Sequence, residues 1–313
     1  MKYRLIFGPI LIALLVVLIY TDDRLGRSAF AGDVPKFLEI LGMVRYDGLI
    51  VTTVLVVLTA LGTRELRNLL SSAGHAPLPR WPVLVNVALI VIPFIAANGP
   101  PFDTDALHAT DHQYSFAALV IALLGTGFFV AARRKTEGAI AAVGTSLLII
   151  LYLGLLPQYL VRLRVFGGTS AAWLLLYFIV TVKICDIGAY FTGRFLGRHK
   201  LIEWLSPKKT IEGLLGGIAA SVLFAVATVW LVQRYSDPSS PLHDLFAFSL
   251  ARCAGFGALM GLIGQGGDLL ESLFKRDAQV KDSARAIPSF GGVLDILDSL
   301  LPTAPVAYWM LLQ

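Results

Sequence analysis

The sequence is poor in charge, in cysteine and in polar stretches long enough to build a soluble domain. Charged residues make up 15% of the chain and hydrophobic residues 56%, with a mean hydropathy of +0.73. That balance excludes an ordinary soluble globular protein and implies a multi-span membrane protein. The two cysteines, Cys185 and Cys253, both lie in apolar runs. They exclude a disulfide framework and a zinc cluster, and read as small buried packing residues. A pI of about 9.2 would suggest a nucleic-acid partner for a soluble chain. In an apolar one it reflects loop Lys and Arg that set orientation, so no nucleic acid is implied.

What is present is a succession of apolar runs. A helix needs about 20 apolar residues to cross a bilayer, and about nine segments approach that length. They are residues 5–20, 49–61, 82–97, 115–132, 139–156, 171–190, 214–232, 246–264 and 293–312. The fold class is therefore all-α: a polytopic membrane protein of about nine transmembrane helices in one helical membrane domain. Residues 1–157 hold about five of these spans and read as scaffold, while residues 158–313 hold the polar loops where chemistry can reside. Lys2, Arg4 and the Ala29-Phe30-Ala31 triplet imitate a signal peptide. The triplet lies beyond Asp22, Asp23, Arg24 and Arg27, too far past the apolar core, so the segment reads as an uncleaved anchor. With the N-terminus in the cytoplasm, most of the 26 Lys and Arg fall in cytoplasmic segments, whereas residues 98–113 have none. The bias sets the N-terminus inside and the C-terminus outside, in what reads as a bacterial inner membrane.

The first half offers little chemistry. Asp103, Asp105, His108, Asp111 and His112 cluster beside Pro100-Pro101 without helical spacing and read as a solvated loop. Arg133-Arg134-Lys135 reads as a clamp on anionic headgroups. The sixth span differs, because Lys183 and Asp186 lie three apart on one face. Either they neutralise each other for insertion or Asp186 faces a polar cavity. The glycine- and Arg-containing run from Gly188 through Arg194 to Arg198 favours the cavity. Ser206 is placed to cap a helix started by Pro207. The free N–H groups there, with Lys208 and Lys209, would make a phosphate seat; a purely topogenic role for the lysines is the alternative. Gly216-Gly217 reads as a close helix approach.

Charge concentrates between Gly264 and Ser299. On a helix Asp268, Ser272 and Lys275 share a face, with Glu271 adjacent; in isolation this would be an amphipathic interfacial helix. The last apolar segment nevertheless carries Asp295 and Asp298 near its start, behind Gly291-Gly292. An acid in a span costs about 2.5–3.5 kcal/mol at its centre, so both are best explained by a polar cavity or a cation. Carboxylates alone would suit an ion pathway. Carboxylates ringed by Lys275, Arg276, Lys281 and Arg285 suit Mg²⁺ on a polyphosphate.

These residues resemble the phosphatidate cytidylyltransferase (CDP-diacylglycerol synthase) family. The family's Ser-x-x-Lys-Arg then Lys-Asp block is similar to Ser272-Leu273-Phe274-Lys275-Arg276 with Lys281-Asp282. Its Pro-x-His-Gly-Gly-x-x-Asp-Arg-x-Asp block is similar to Pro288 through Asp298. Asp186, Gly193-Arg194, Ser206-Pro207-Lys208-Lys209 and Gly267-Asp268 also match, so the likeness spans about Lys183 to Ser299. Phe290 stands in place of the family's His, Ile296 in place of its Arg, and Ser289 in place of a common Gly. The resemblance implies CTP and phosphatidic acid as substrates within a lipid bilayer, CDP-diacylglycerol and pyrophosphate as products, and Mg²⁺ as cofactor. It implies Asp268, Asp295 and Asp298 as metal ligands and Lys275, Arg276, Lys281 and Asp282 as the catalytic block. Asp186, Arg194, Ser206, Lys208, Lys209, Ser272, Gly291 and Gly292 are then the substrate-binding set. The active site would face cytoplasmic nucleotide, and a homodimer is left open. Three rivals remain: a CTP-dependent lipid-alcohol kinase, a non-catalytic lipid-binding relative, and a cation transporter. A CDP-alcohol phosphotransferase is excluded, since its Asp-Gly-x-x-Ala-Arg opening is absent.

Overall fold

The computed structural model describes residues 2–29, 46–99, 104–134, 136–168, 171–280 and 291–312. Lys281, Asp282, Arg285 and Phe290 lie outside the described residues. The chain runs α1 (Lys2–Ala29), α2 (Leu49–Ser72), α3 (Trp81–Asn98), α4 (Thr104–Ala131) and α5 (Ala139–Ile150). A π-helical turn (Leu151–Leu155) then leads into α6 (Gln158–Phe166), which is followed by α7 (Ala171–Leu196). A hairpin of β1 (Lys200–Ile202) and β2 (Ser206–Thr210) precedes α8 (Ile211–Tyr235), α9 (Pro241–Leu245), α10 (Leu250–Asp277), α11 (Leu294–Leu297) and α12 (Leu300–Leu312).

Among the described residues six helical stretches are long and apolar enough to cross a membrane: 49–72, 81–98, 111–131, 139–166, 171–196 and 211–235. This is an α-helical membrane protein. Several features depart from the sequence expectation. The segment 293–312 is not one helix, since α11 ends at Leu297 with Asp298 as its C-cap and α12 has only 13 residues. At 1.5 Å per residue α12 spans about 20 Å, short of a hydrocarbon core of about 30 Å. Of the acids that opened the expected span, Asp295 lies in α11 and Asp298 at the break.

The second departure is the hairpin. Ser206 does not cap a helix: residues 206–210 form an antiparallel strand, with Lys200 opposite Thr210 and Ile202 opposite Ser206. Pro207 lacks an N–H and is tolerated in a two-stranded edge pairing. The cap falls to Thr210, whose Oγ1 accepts from Gly213 N–H at 3.1 Å. Glu212, in that first turn, accepts from the Arg198 and His199 N–H groups at 3.0 and 3.2 Å. The chain leaving α7 is thereby tied to the start of α8.

Small residues let α7 and α8 pack closely, as the glycine pair predicts. A Cβ on Gly217 would stand 2.8 Å from the Cys185 carbonyl oxygen, and one on Gly188 2.5 Å from the Ala220 Cβ. Tyr177 of α7 stacks on Phe256 of α10 with centroids 5.2 Å apart. Leu174, Phe178, Val182, Val229, Met260 and Ala304 complete the main core around it. Both cysteines are free and buried.

The solvated loop expected at Asp111 is corrected. Asp111 lies in α4, fully buried, and accepts from Arg162 Nε at 2.7 Å. Arg164, on the same short α6, donates from Nε to Asp22 at 2.6 Å. The other Asp22 oxygen accepts from Ile50 and Val51 N–H at 2.9 and 3.2 Å, fixing the start of α2. Each buried guanidinium is matched by a buried carboxylate, which is the condition for keeping either in an apolar interior.

Candidate active site

The ends of α7 and α10, the hairpin and the α11 break enclose a cavity of about 650 Å³. The sequence of each element explains what it contributes. α7 stays apolar as far as Lys183 and then offers Asp186, Tyr190 and Arg194 to one side. β2 carries Lys208 and Lys209 on a strand short enough to leave both at the rim. α10 is a single 28-residue helix, so Asp268, Glu271 and Lys275 belong to the same rod as the apolar stretch ending at Gly264. It is not a separate interfacial helix.

The hydrogen bonds form two networks, one around Lys183 and Lys209 and one around Lys275. Lys183 Nζ lies 3.6 Å from Asp186 Oδ2 and donates to Ser299 Oγ at 2.8 Å and to the Ile296 carbonyl at 3.2 Å. Gln265 Nε2 donates to Asp186 Oδ1 at 3.0 Å. Lys209 Nζ pairs with Asp268 Oδ2 at 2.6 Å and reaches the Gln265 carbonyl at 3.3 Å. Lys275 Nζ bridges Glu271 Oε2 at 3.0 Å and Asp295 Oδ1 at 2.8 Å. Asp295 Oδ2 accepts from Gly292 N–H at 2.7 Å. Gly291, at φ +93, sits in the left-handed region, and a Cβ there would stand 2.5 Å from Asp295 Oδ2. Only glycine fits such a turn without strain.

Ligand oxygens of Asp268, Glu271 and Asp298 can all lie within 4.8 Å of one another. Burial pushes the Glu271 carboxyl up to about 7, against the pull of Lys275. Glu271 Oε1 is buried and has no hydrogen-bond partner among the described residues. An orphaned carboxylate oxygen within a triad of acids is a vacancy in hydrogen bonding that a hard, oxygen-seeking cation would satisfy. Tyr152 of the π turn packs edge-on against Phe274 at 5.9 Å.

Of the residues singled out from sequence, Asp186, Arg194, Lys208, Lys209, Asp268, Lys275, Asp295 and Asp298 line this one cavity. Ser206, Ser272, Gly291 and Gly292 are not among its lining residues, and neither is Arg276, whose Nε donates to the Leu205 carbonyl in the hairpin at 3.3 Å. Lys281 and Asp282 lie outside the described residues. Sequence reasoning passed over Glu271 and Lys183 as site residues although it had noted both. It missed Gln265, where a polar residue inside an apolar run was the available signal.

Apolar helices surrounding a cavity in which acids are interleaved with Lys and Arg suit a membrane-embedded enzyme that handles phosphates. The chain belongs to the cytidylyltransferase family, whose profile matches residues 36–313. It is 34% identical over 274 residues to a phosphatidate cytidylyltransferase of Synechocystis, covering 80% of this chain and 84% of that one. It is 30% identical over 262 residues to the enzyme of the same name from Chlamydia pneumoniae, covering 81% and 79%. A Staphylococcus aureus phosphatidate cytidylyltransferase is 37% identical over 139 residues, 44% of this chain and 49% of that one.

Proposed function

We propose that the protein transfers the cytidylyl group of CTP to phosphatidic acid, giving CDP-diacylglycerol and pyrophosphate. The observation that carries this reading is the cavity's composition. Five cations, Lys183, Arg194, Lys208, Lys209 and Lys275, surround the acid cluster, which suits two polyanions meeting over a divalent ion. The names of the relatives supply the substrate pair.

In this reaction an oxygen of the lipid phosphate attacks the α-phosphorus of CTP. The bond from that phosphorus to the α–β bridging oxygen breaks, and pyrophosphate leaves with the electron pair. The nucleophile is already an oxyanion, so no base has to create it. Alignment and charge neutralisation are what the chain must provide. Phe290, standing where the family pattern has His, is less damaging for that reason.

Asp268, Glu271 and Asp298 are assigned to hold Mg²⁺, because Glu271 supplies the orphaned oxygen. Asp295, grouped with the metal ligands on sequence, is assigned instead to anchor Lys275, given its 2.8 Å contact. When bound, Mg²⁺ neutralises and orients phosphate oxygens. Lys208, Lys209 and Arg194 are assigned to the triphosphate, and Lys275 and Lys183 to the lipid phosphate, with Lys281 and Asp282 kept beside them on the resemblance. The remaining organisation follows the charge bias: a cytoplasmic N-terminus, an inner-membrane location and a site open to cytoplasmic nucleotide, with residues 1–157 as scaffold.

The test is purified protein with phosphatidic acid vesicles and CTP labelled at the α-phosphate, with and without Mg²⁺. Labelled CDP-diacylglycerol with an equal yield of pyrophosphate is expected, only with the metal. Release of labelled CDP with phosphorylation of a lipid alcohol would assign a kinase instead.

A further inference from the structure

Glu65 belongs to α2, in the half of the chain that carries none of the family motifs, yet its carboxylate ends on the segment that carries two acids of the site. Oε1 accepts from Val293 N–H at 3.0 Å and Oε2 from Leu294 N–H at 3.1 Å. Glu65 is 8% exposed, and Val293 and Leu294 are buried. These two residues open α11, a helix of four residues. N–H groups at a helix start have no acceptor within the helix, and here one carboxylate takes both. Asp295 follows at once and Asp298 closes the helix, so the clamp fixes the backbone from which both side chains project.

Packing alone would hold this segment in place. Leu66 and Leu69 from the same α2 join Val293, Leu294, Leu297 and Leu301 in a separate apolar cluster. A buried carboxylate adds a desolvation cost to such an interface, so its presence calls for a reason other than cohesion. Leucines can slide on one another; two hydrogen bonds to consecutive amides cannot.

We propose that Glu65 is a positioning residue for the transfer reaction. It fixes the orientation of the 293–298 turn so that Asp298 closes the triad with Asp268 and Glu271 while Asp295 meets Lys275. The proposal rests on the reading of that triad as the cation site.

The test uses the full-length protein in detergent with Mn²⁺ as probe, comparing wild type, E65Q, E65D and D268N. Ion binding is followed by electron paramagnetic resonance and folding by thermal unfolding without metal. E65Q keeps the side-chain length but turns an amide N–H toward one of the two donors. It should bind Mn²⁺ about tenfold more weakly, the lower end of what loss of an outer orienting partner produces. It should also lower kcat by a similar factor, with unfolding within a few degrees of wild type. E65D keeps the charge and one reachable amide and should fall between the two. Wild-type Mn²⁺ affinity and kcat per folded molecule in E65Q would overturn the proposal. So would a lowered unfolding temperature with unchanged affinity and kcat, since that is a structural role. Should E65Q fail to fold, E65D is judged by the same measures. D268N guards the underlying reading: if it binds Mn²⁺ like wild type, the triad assignment fails and not the clamp.

Discussion

Lys209 Nζ and Asp268 Oδ2 stand 2.6 Å apart, joining the hairpin between α7 and α8 to the acid cluster on α10. The pair ties together two parts of the site that are far apart in sequence. On the proposed assignment, a phosphate entering beside Lys209 would compete with Asp268 for the ammonium group and free that carboxylate for a cation. Ammonium, carboxylate and ligand would then exchange partners without any charge being left alone.

Replacing Lys209 by Met should raise the KM for CTP about tenfold and leave kcat at saturating CTP much less affected, the pattern of a lost binding contact. The Mg²⁺ dependence of the variant should shift to lower concentration, because Asp268 no longer has an internal partner. Initial rates over a grid of CTP and Mg²⁺ concentrations check both.

Asp298 and Asp295 lie three residues apart but should fail differently. Asp298→Asn removes a triad oxygen charge and should weaken Mn²⁺ binding 10- to 100-fold, a range seen for perturbed metal sites. Asp295→Asn should leave Mn²⁺ affinity near wild type and reduce kcat, because it loosens Lys275, which is held at 2.8 Å. Titration of the ion beside steady-state rates separates the two.

Lys183 offers a test of how this chain manages without an Arg at position 296. Its Nζ lies 3.2 Å from the Ile296 carbonyl and lines the cavity, so a cation stands beside the position the family pattern gives to Arg. Lys183→Ala should lower kcat/KM for phosphatidic acid about 10- to 100-fold, in line with loss of one hydrogen bond between charged groups at the attacking phosphate. Adding Ile296→Arg to that variant should restore a substantial part of the activity. Absence of any recovery in a folded double variant would count against the compensation.

The buried pairs distant from the cavity should behave in the opposite way. Arg164→Met leaves Asp22 without its 2.6 Å partner and should reduce stability by about 3–5 kcal/mol, the range for breaking a buried ion pair. Molecules that remain folded should turn over at the wild-type rate. Thermal unfolding and active-site-normalised kcat are the two measurements.

Sequence alone yielded the helical membrane class and most of the charged residues that meet at the cavity, because charge inside an apolar run is costly enough to be conspicuous. It misjudged features decided by partners remote in sequence. Asp111 looked like a loop acid because the residue that neutralises it, Arg162, is 51 positions away. Ser206 and Pro207 have the local chemistry of a helix start, but pairing with Lys200–Ile202 overrode it and moved the cap to Thr210. Asp295 and Asp298 looked equivalent by spacing. Which of them faces Lys275 and which faces the triad depends on α11 breaking off after four residues.

α10 runs unbroken for 28 residues, about 42 Å at the usual rise. One end is packed through Cys253, Phe256 and Met260 into the apolar core, and the other carries Asp268, Glu271 and Lys275. An unbroken helix links the two, so a tilt of its packed end displaces the acids at the other. On the proposed function, adjustment of the core to a thinner or thicker bilayer, which costs only fractions of a kcal/mol per Å, would reach the acids along this helix, and the surrounding lipids would then act on the rate.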